Sequence, residues 1–243
     1  MHTEDTASLN EKRANLTQVM ILNTEYNNSL GSDLVYDMYS QGETGHECLL
    51  SLIIDRYQTS NTQIHVLDGL IFELISNSQY SRIRKVVDSR LPYGVVPLCS
   101  DVDIDYLPLQ RLLVDKSFQQ ADSLTQSILC RLSQLVGDHE RDWLYFTDIP
   151  GLPSIDLLTI DNLWKVHSNG LFGLSVQRRI WLATNSNWDN FWAKIGWKVN
   201  NVSCRYPNDF VWNVSAPPGH LPLFNQLRGV QVLSALFNHH AWL

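Results

Sequence analysis

Apolar residues recur at three- and four-residue spacings along most of the chain, the signature of helices that each bury one stripe. In the first third, "ECLLSLIIDRY" and "TQIHVLDGLIFELISNS" carry the pattern, with Leu67, Leu70, Ile71, Leu74 and Ile75 on one face. Further on, "SFQQADSLTQSILCRLSQLV" aligns Leu124, Ile128, Leu132 and Leu135. "PSIDLLTIDNLWKV" predicts a helix capped by Ser154, with Leu157, Ile160, Leu163 and Trp164 turned inward. Ser175 is the expected cap of a short helix through Arg178 to Ala183, and Gly196 the expected stop after "NWDNFWAKI". "LPLFNQLRGVQVLSALFN" spaces Leu223, Leu227, Val230, Leu233 and Phe237 as a last helix. Before it, "WKVNNVSCRYPNDFVWNVSAPPGHLP" is rich in Asn, Pro and β-branched residues and predicts an irregular loop at about 197–221. Long loops in compact domains are commonly functional. The expected fold class is all-α.

The pattern breaks at "SRLPYGVVPLCSDVDIDYLP", where three prolines and a glycine mark a connector. It divides a helical bundle at 1–93 from a domain at 94–243. Composition changes with it. All eight tryptophans (143, 164, 181, 188, 192, 197, 212 and 242) lie in the last 101 residues. Residues 1–93 hold 7 basic and 12 acidic side chains, a balance of -5. From Lys165 onward, seven cations face Asp189 and Asp209 alone, a balance of +5.

A net charge of -7 argues against nucleic acid as a partner. Cys48, Cys99, Cys130 and Cys204 have no C-x-x-C spacing and are expected as buried thiols, without a disulfide framework or zinc site. No apolar run approaches the roughly 20 residues that span a bilayer. "MHTEDTASLNEKR" has neither the basic-then-apolar order of a signal sequence nor the acid-poor composition of a transit peptide, so the chain is expected to work where it is made.

Phosphate-binding glycine loops, H-E-x-x-H and G-x-S-x-G are missing from the sequence. Asp156 and Asp161 stand five apart on the expected helix and so do not share a face as an acid–base pair. His239 and His240 are adjacent and point different ways; His167 and His220 each offer a single imidazole, a ligand or a hydrogen-bonded structural group. What remains is an aromatic-rich, locally basic domain with a long loop. Aromatic faces suit a planar ligand and arginine suits carboxylates, although eight tryptophans can equally well fill a core. In "SNGLFGLSVQRRIW" the glycines permit a close turn, while Arg178 and Arg179 lie off the apolar stripe and are expected to be structural or partner-facing.

"DYLPLQRLL", "ADSLTQSIL", "DWLYFTDIPGLPSIDLLTIDNLWKVHSNGLFGLSVQRRIWL", "KIGWKV" and "WNVSAPPGHLPLFNQLRGV" resemble the genomes-uncoupled-four family of tetrapyrrole-binding regulators of magnesium chelatase. The resemblance runs in unbroken order over about residues 101–242. It implies a cupped-hand helical domain that binds protoporphyrin IX and magnesium-protoporphyrin IX, with no permanently bound cofactor and no catalysis. It further implies stimulation of magnesium chelatase through its H subunit in chlorophyll biosynthesis. The implied place of work is a cyanobacterial cytoplasm or plastid stroma, with peripheral association with a membrane. The 1–93 bundle resembles the accessory unit of cyanobacterial and some plastid members, which land-plant members lack. A rival role is a protein-interaction scaffold for which porphyrin is only a signal.

By the same resemblance, Phe146 and Ile149 line the palm, Phe172 supports it, and Val176 lies beneath. Tyr206 and Trp212 supply aromatic wall, Arg228 a propionate contact, and Asn225 a polar edge contact. Leu174 stands where Phe is common in the family, and Gln126 and Gln231 stand where Arg is expected, which implies fewer cations for the ligand's carboxylates.

Overall fold

The computed structural model describes residues 2–22, 25–58, 63–224 and 230–243. The chain forms two compact units, Met1–Pro97 and Leu98–Leu243, that meet four residues beyond the expected boundary at 93/94. The described residues are mostly helical, as the spacing predicts.

The first unit contains α1 (His2–Leu22), α2 (Glu25–Ser40), α3 (Glu43–Gln58), α4 (Val66–Ser76) and α5 (Ser81–Arg90). Helix α2 packs on α1, α3 and α4, and α5 closes against α3 and α4. Leu67, Leu70, Ile71 and Ile75 of the expected α4 stripe are buried with Leu16, Met38, Leu49 and Ile53. Gly31 lets the helices approach, since a Cβ there would lie 2.3 Å from Leu67 Cδ1 and 2.9 Å from Val19 Cγ1. His65 caps α4, accepting from Leu67 N, while Asp68 accepts from His65 N and from Arg56. This fixes the turn into α4 with an internal ion pair.

The second unit contains α6 (Leu107–Val114), α7 (Phe118–Gly137), α8 (Ser154–Val166), α9 (Leu174–Ala183), α10 (Trp188–Lys194) and α11 (Gln231–Phe237). Among the described residues it also has short 3-10 turns at Ile149–Gly151 and His240–Trp242. Its centre is a cluster of fully buried rings. Phe118, Trp164 and Phe172 meet with centroids 5.4 to 6.4 Å apart, and Trp164 Nε1 donates to Thr125 Oγ1 at 3.0 Å. A second cluster joins Trp181, Trp188, Phe191 and Phe237. Much of the tryptophan content therefore does fill a core.

Several expectations change. Helix α7 buries Phe118, Ala121, Asp122, Thr125, Ile128, Leu129 and Leu132, while Leu135 is exposed and Leu124 half-buried. Packing against both α6 and the Ile149–Gly151 turn gives it a buried face wider than one stripe. Helix α8 starts with Ser154 already helical and Pro153 at the cap position, without a side-chain cap. The last helix begins only at Gln231; Leu221-Pro222 is a cis peptide, and Leu223 and Phe224 after it belong to no helix. The cysteines form no disulfide, but Cys99 is exposed and the other three are half-buried.

The expected irregular loop contains a small hairpin. Strands β1 (Lys198–Val199) and β2 (Val202–Ser203) pair antiparallel with Val199 opposite Val202. Asn200 and Asn201 between them have φ of 50° and 64°, the two left-handed residues that a tight I′-type turn requires. "VNNV" was the signal for it.

A tryptophan-walled cavity in the second unit

Along α7, Asp122, Gln126 and Cys130 recur every four residues, one helical face with Ser123 beside it, and this face forms one wall of a cavity of about 960 Å³. The loop after α7 contributes Asp142, Trp143 and Leu144; α10 contributes Trp192. Opposite stand Trp197, the segment Ser203–Tyr206 that includes the end of β2, and Phe210. Leu223, Phe224, Val230, Val232 and Leu233 close the remaining side. Aromatic rings thus surround the space, with a few polar groups set among them. Such a volume lies at the upper end for a small-molecule site.

The walls are held by hydrogen bonds that reach across the sequence. Asp122 Oδ1 accepts the Leu223 N–H at 2.6 Å, and the Gln126 amide donates to the carbonyl of the same residue. One face of α7 thereby grips both backbone groups of Leu223. Burial pushes the Asp122 carboxyl up to about 7, opposed by that N–H bond. The loop after α7 is shaped by Arg141, which reaches both Asp148 oxygens at 3.2 and 2.9 Å. Asp148 also accepts from Tyr145 N at 2.8 Å. Burial opposes ionisation of Asp148, but these donors hold its carboxyl below the usual range.

The long loop is fixed by an imidazole and a glutamine. His220 Nδ1 donates to Ile195 O at 2.7 Å and Nε2 accepts from Val211 N at 3.1 Å, which defines a neutral ring. Burial depresses its pKa. Gln177 of α9 donates to Gly219 O and Pro222 O. Trp197 Nε1 donates to His220 O, so the ring that forms the cavity wall is anchored at its far edge. His220 is thus a structural group.

"SNGLFGLSVQ" resolves into a joint. Gly173, at φ 131°, is the α9 cap, and a Cβ there would fall 2.8 Å from Asp161 Oδ1. That carboxylate, from α8, accepts Ser175 N at 2.8 Å and pairs with Lys165 at 3.0 Å. The cap is therefore borrowed from a neighbouring helix, and Ser175 lies inside the first turn instead of capping it. Asp156 has an equally structural place, accepting from Ser100 Oγ, Asp101 N and Tyr106 OH. Arg178 donates to Phe237 O at the end of α11.

Of the expected ligand residues, Tyr206 lines the cavity. Trp212 stands behind it, edge-on at 5.9 Å, with Nε1 donating to Pro207 O. Phe146 is exposed, near the loop tip but off the wall. Ile149, Phe172 and Val176 are buried in the interior and do not line the cavity. Asn225 and Arg228, like Leu227, lie outside the described residues. Asp122, Trp143, Trp192, Trp197, Arg205 and Phe210 are wall residues that the motifs did not single out. For the three tryptophans the sequence signal is their enrichment, which gives no positions; Asp122, Arg205 and Phe210 carry no comparable signal.

A model of the GUN4-like family matches residues 99–240. The chain belongs to the GUN4-like family. The match lies within the unit that holds the cavity, and the first unit falls outside it. Relatives extend further: the ycf53 protein of Pyropia yezoensis is 46% identical over 96% of this chain and 98% of its own length. The Ycf53-like protein of Synechocystis is 43% identical over 83% of this chain and 85% of its own. The chloroplastic tetrapyrrole-binding protein of Arabidopsis thaliana is 38% identical over 55% of this chain and 54% of its own. Among solved structures, GUN4 from Chlamydomonas reinhardtii matches with a TM-score of 0.55 and 36% identity, covering 60% of this chain and 93% of that one. Ligand-free Arabidopsis GUN4 gives 0.52 and 35%, covering 58% and 99%. Among the described residues no helix is long and apolar enough to cross a membrane, and no three His, Cys, Asp or Glu side chains gather as a metal site.

Proposed function

We propose that the second unit binds protoporphyrin IX and magnesium-protoporphyrin IX in the tryptophan-walled cavity. In the same reading the chain stimulates magnesium chelatase through its H subunit without catalysing a reaction itself. The observation that carries the reading is the cavity of about 960 Å³ with Trp143, Trp192, Trp197, Tyr206 and Phe210 on its walls. The GUN4-like family, whose Arabidopsis relative is a tetrapyrrole-binding protein, supplies the ligand class.

The energetics suit a reversible carrier. Burying a few hundred Å² of macrocycle at about 25 cal/mol per Å² supplies several kcal/mol, and ordering of side chains offsets part of it. A micromolar or tighter complex needs roughly -8 kcal/mol. Tyr206 provides a stacking face supported by Trp212. Asn225 follows the wall residue Phe224 in sequence and Arg228 comes three residues later; we assign them a polar edge contact and a propionate contact. We assign Phe146 to the rim and Ile149, Phe172 and Val176 to a supporting layer. Relatives in a cyanobacterium, red algae and a chloroplast support a cyanobacterial or plastid place of work.

Titration with deuteroporphyrin should quench tryptophan emission saturably, and Arg228→Ala should weaken binding. If wild-type emission falls no further than absorption of the exciting light explains, the ligand assignment is wrong. Porphyrin-dependent gain in magnesium chelatase turnover, measured with the purified H subunit and its partner subunits, tests the activating role.

A further inference from the structure

Asp122 and Arg205, both on the cavity wall, differ sharply in burial. On the inner side stands Asp122, 3% exposed, on a helix face whose other polar group, Gln126, is held by the Leu223 carbonyl. Arg205 stands on the outer side, exposed, with its backbone held by Asp209: its N–H donates to Asp209 Oδ2 and its carbonyl accepts from Asp209 N. No carboxylate pairs with its guanidinium among the described residues. Asp142, the other acid on the wall, is exposed on the loop after α7.

A macrocycle with two propionates on adjacent pyrroles has one anionic edge and one uncharged edge. It meets this wall in unequal ways. With the propionates outward, Arg205 gains a charge-assisted partner and water still reaches both acids. With the propionates inward, two carboxylates would be stripped of water beside a third, and like charges in a poorly solvated site repel strongly. A free cation at the mouth and a buried acid inside therefore act in the same direction. Discrimination comes as much from the repulsive group as from the attractive one.

Resting on the porphyrin-binding reading, we infer that Arg205 and Asp122 set ligand orientation and select macrocycles whose carboxylates share one edge. Arg205 receives that edge at the mouth, and Asp122 excludes carboxylates from the inner wall. Rings with an acid on every pyrrole are rejected because one must always face Asp122.

The test uses the full chain at pH 8, above the value of about 7 to which burial raises the Asp122 carboxyl, and three probes: deuteroporphyrin, its uncharged bis(glycol amide), and coproporphyrin I, which carries one propionate per pyrrole. Arg205→Gln should weaken deuteroporphyrin binding about fivefold and leave the amide unchanged. Asp122→Asn keeps an oxygen to accept the Leu223 N–H; it should tighten coproporphyrin I binding about tenfold without weakening deuteroporphyrin. The inference is overturned if Arg205→Gln affects acid and amide alike or neither. It is equally overturned if Asp122→Asn leaves coproporphyrin I excluded, or weakens all three probes together as loss of a purely structural clamp would. If the wild type binds none of the probes, the porphyrin-binding reading itself falls.

Discussion

Asp122 accepts the backbone N–H of Leu223, 101 positions further along the chain, at 2.6 Å. A carboxylate whose desolvation is only partly offset by one amide donor holds its proton to about pH 7. The folded pKa is thus raised above the ordinary acid value of 3.8. Stability from this group is complete below pH 4 and is lost as pH rises through 7. Asp122→Asn should therefore be more stable than wild type at pH 8, by about 2–4 kcal/mol, and nearly equal to it near pH 4. Urea unfolding at both pH values measures the difference.

His220 has the opposite sign. Burial lowers its pKa below the ordinary 6.5, so the neutral ring contributes stability that is present above that value and lost on acidification. Near-ultraviolet dichroism of the ring-anchored Trp197 should report loosening of the loop as pH falls below 6.5. His220→Ala strands Val211 N–H and Ile195 O and should cost about 2–3 kcal/mol at pH 7.5, with a flatter acid limb than wild type.

Gly173→Ala places a methyl 2.8 Å from Asp161 Oδ1 at a φ of 131°, a backbone region costly for any side chain. We expect a loss of at least about 2 kcal/mol, seen as a drop of several degrees in Tm. Asp161→Asn should be milder, since its amide oxygen still accepts Ser175 N.

Tyr206→Ala should weaken porphyrin binding severalfold by removing a stacking face from the wall, and Tyr206→Trp should strengthen it. The change in Kd is read by tryptophan quenching, with Tyr106, buried and bonded to Asp156, left unaltered.

The two compact units make a further prediction. Residues 98–243 produced alone should fold and bind deuteroporphyrin within about twofold of the full chain, since the cavity wall described lies wholly inside that unit. Unchanged chelatase stimulation by this fragment would count against a docking role for the first unit; lost stimulation with intact binding would favour one.

The sequence by itself determined the helical architecture and most of the inward stripes. An apolar side chain at the wrong angle on a helix loses its burial energy, so spacing alone locates Leu67, Leu70, Ile71 and Ile75, with Leu74 half-buried beside them, and Leu157, Ile160, Leu163 and Trp164. It also fixed Gly196 as a stop, with φ of 75°, and the motifs that place the chain in its family. Tertiary structure decided the rest. It chose which tryptophans form walls and which form core, because ring count says nothing about what each ring meets. It turned Asp161 into the cap of another helix and brought Asp122 to Leu223. Such pairings satisfy buried polar groups across long sequence separations, and no local pattern encodes a partner a hundred residues away.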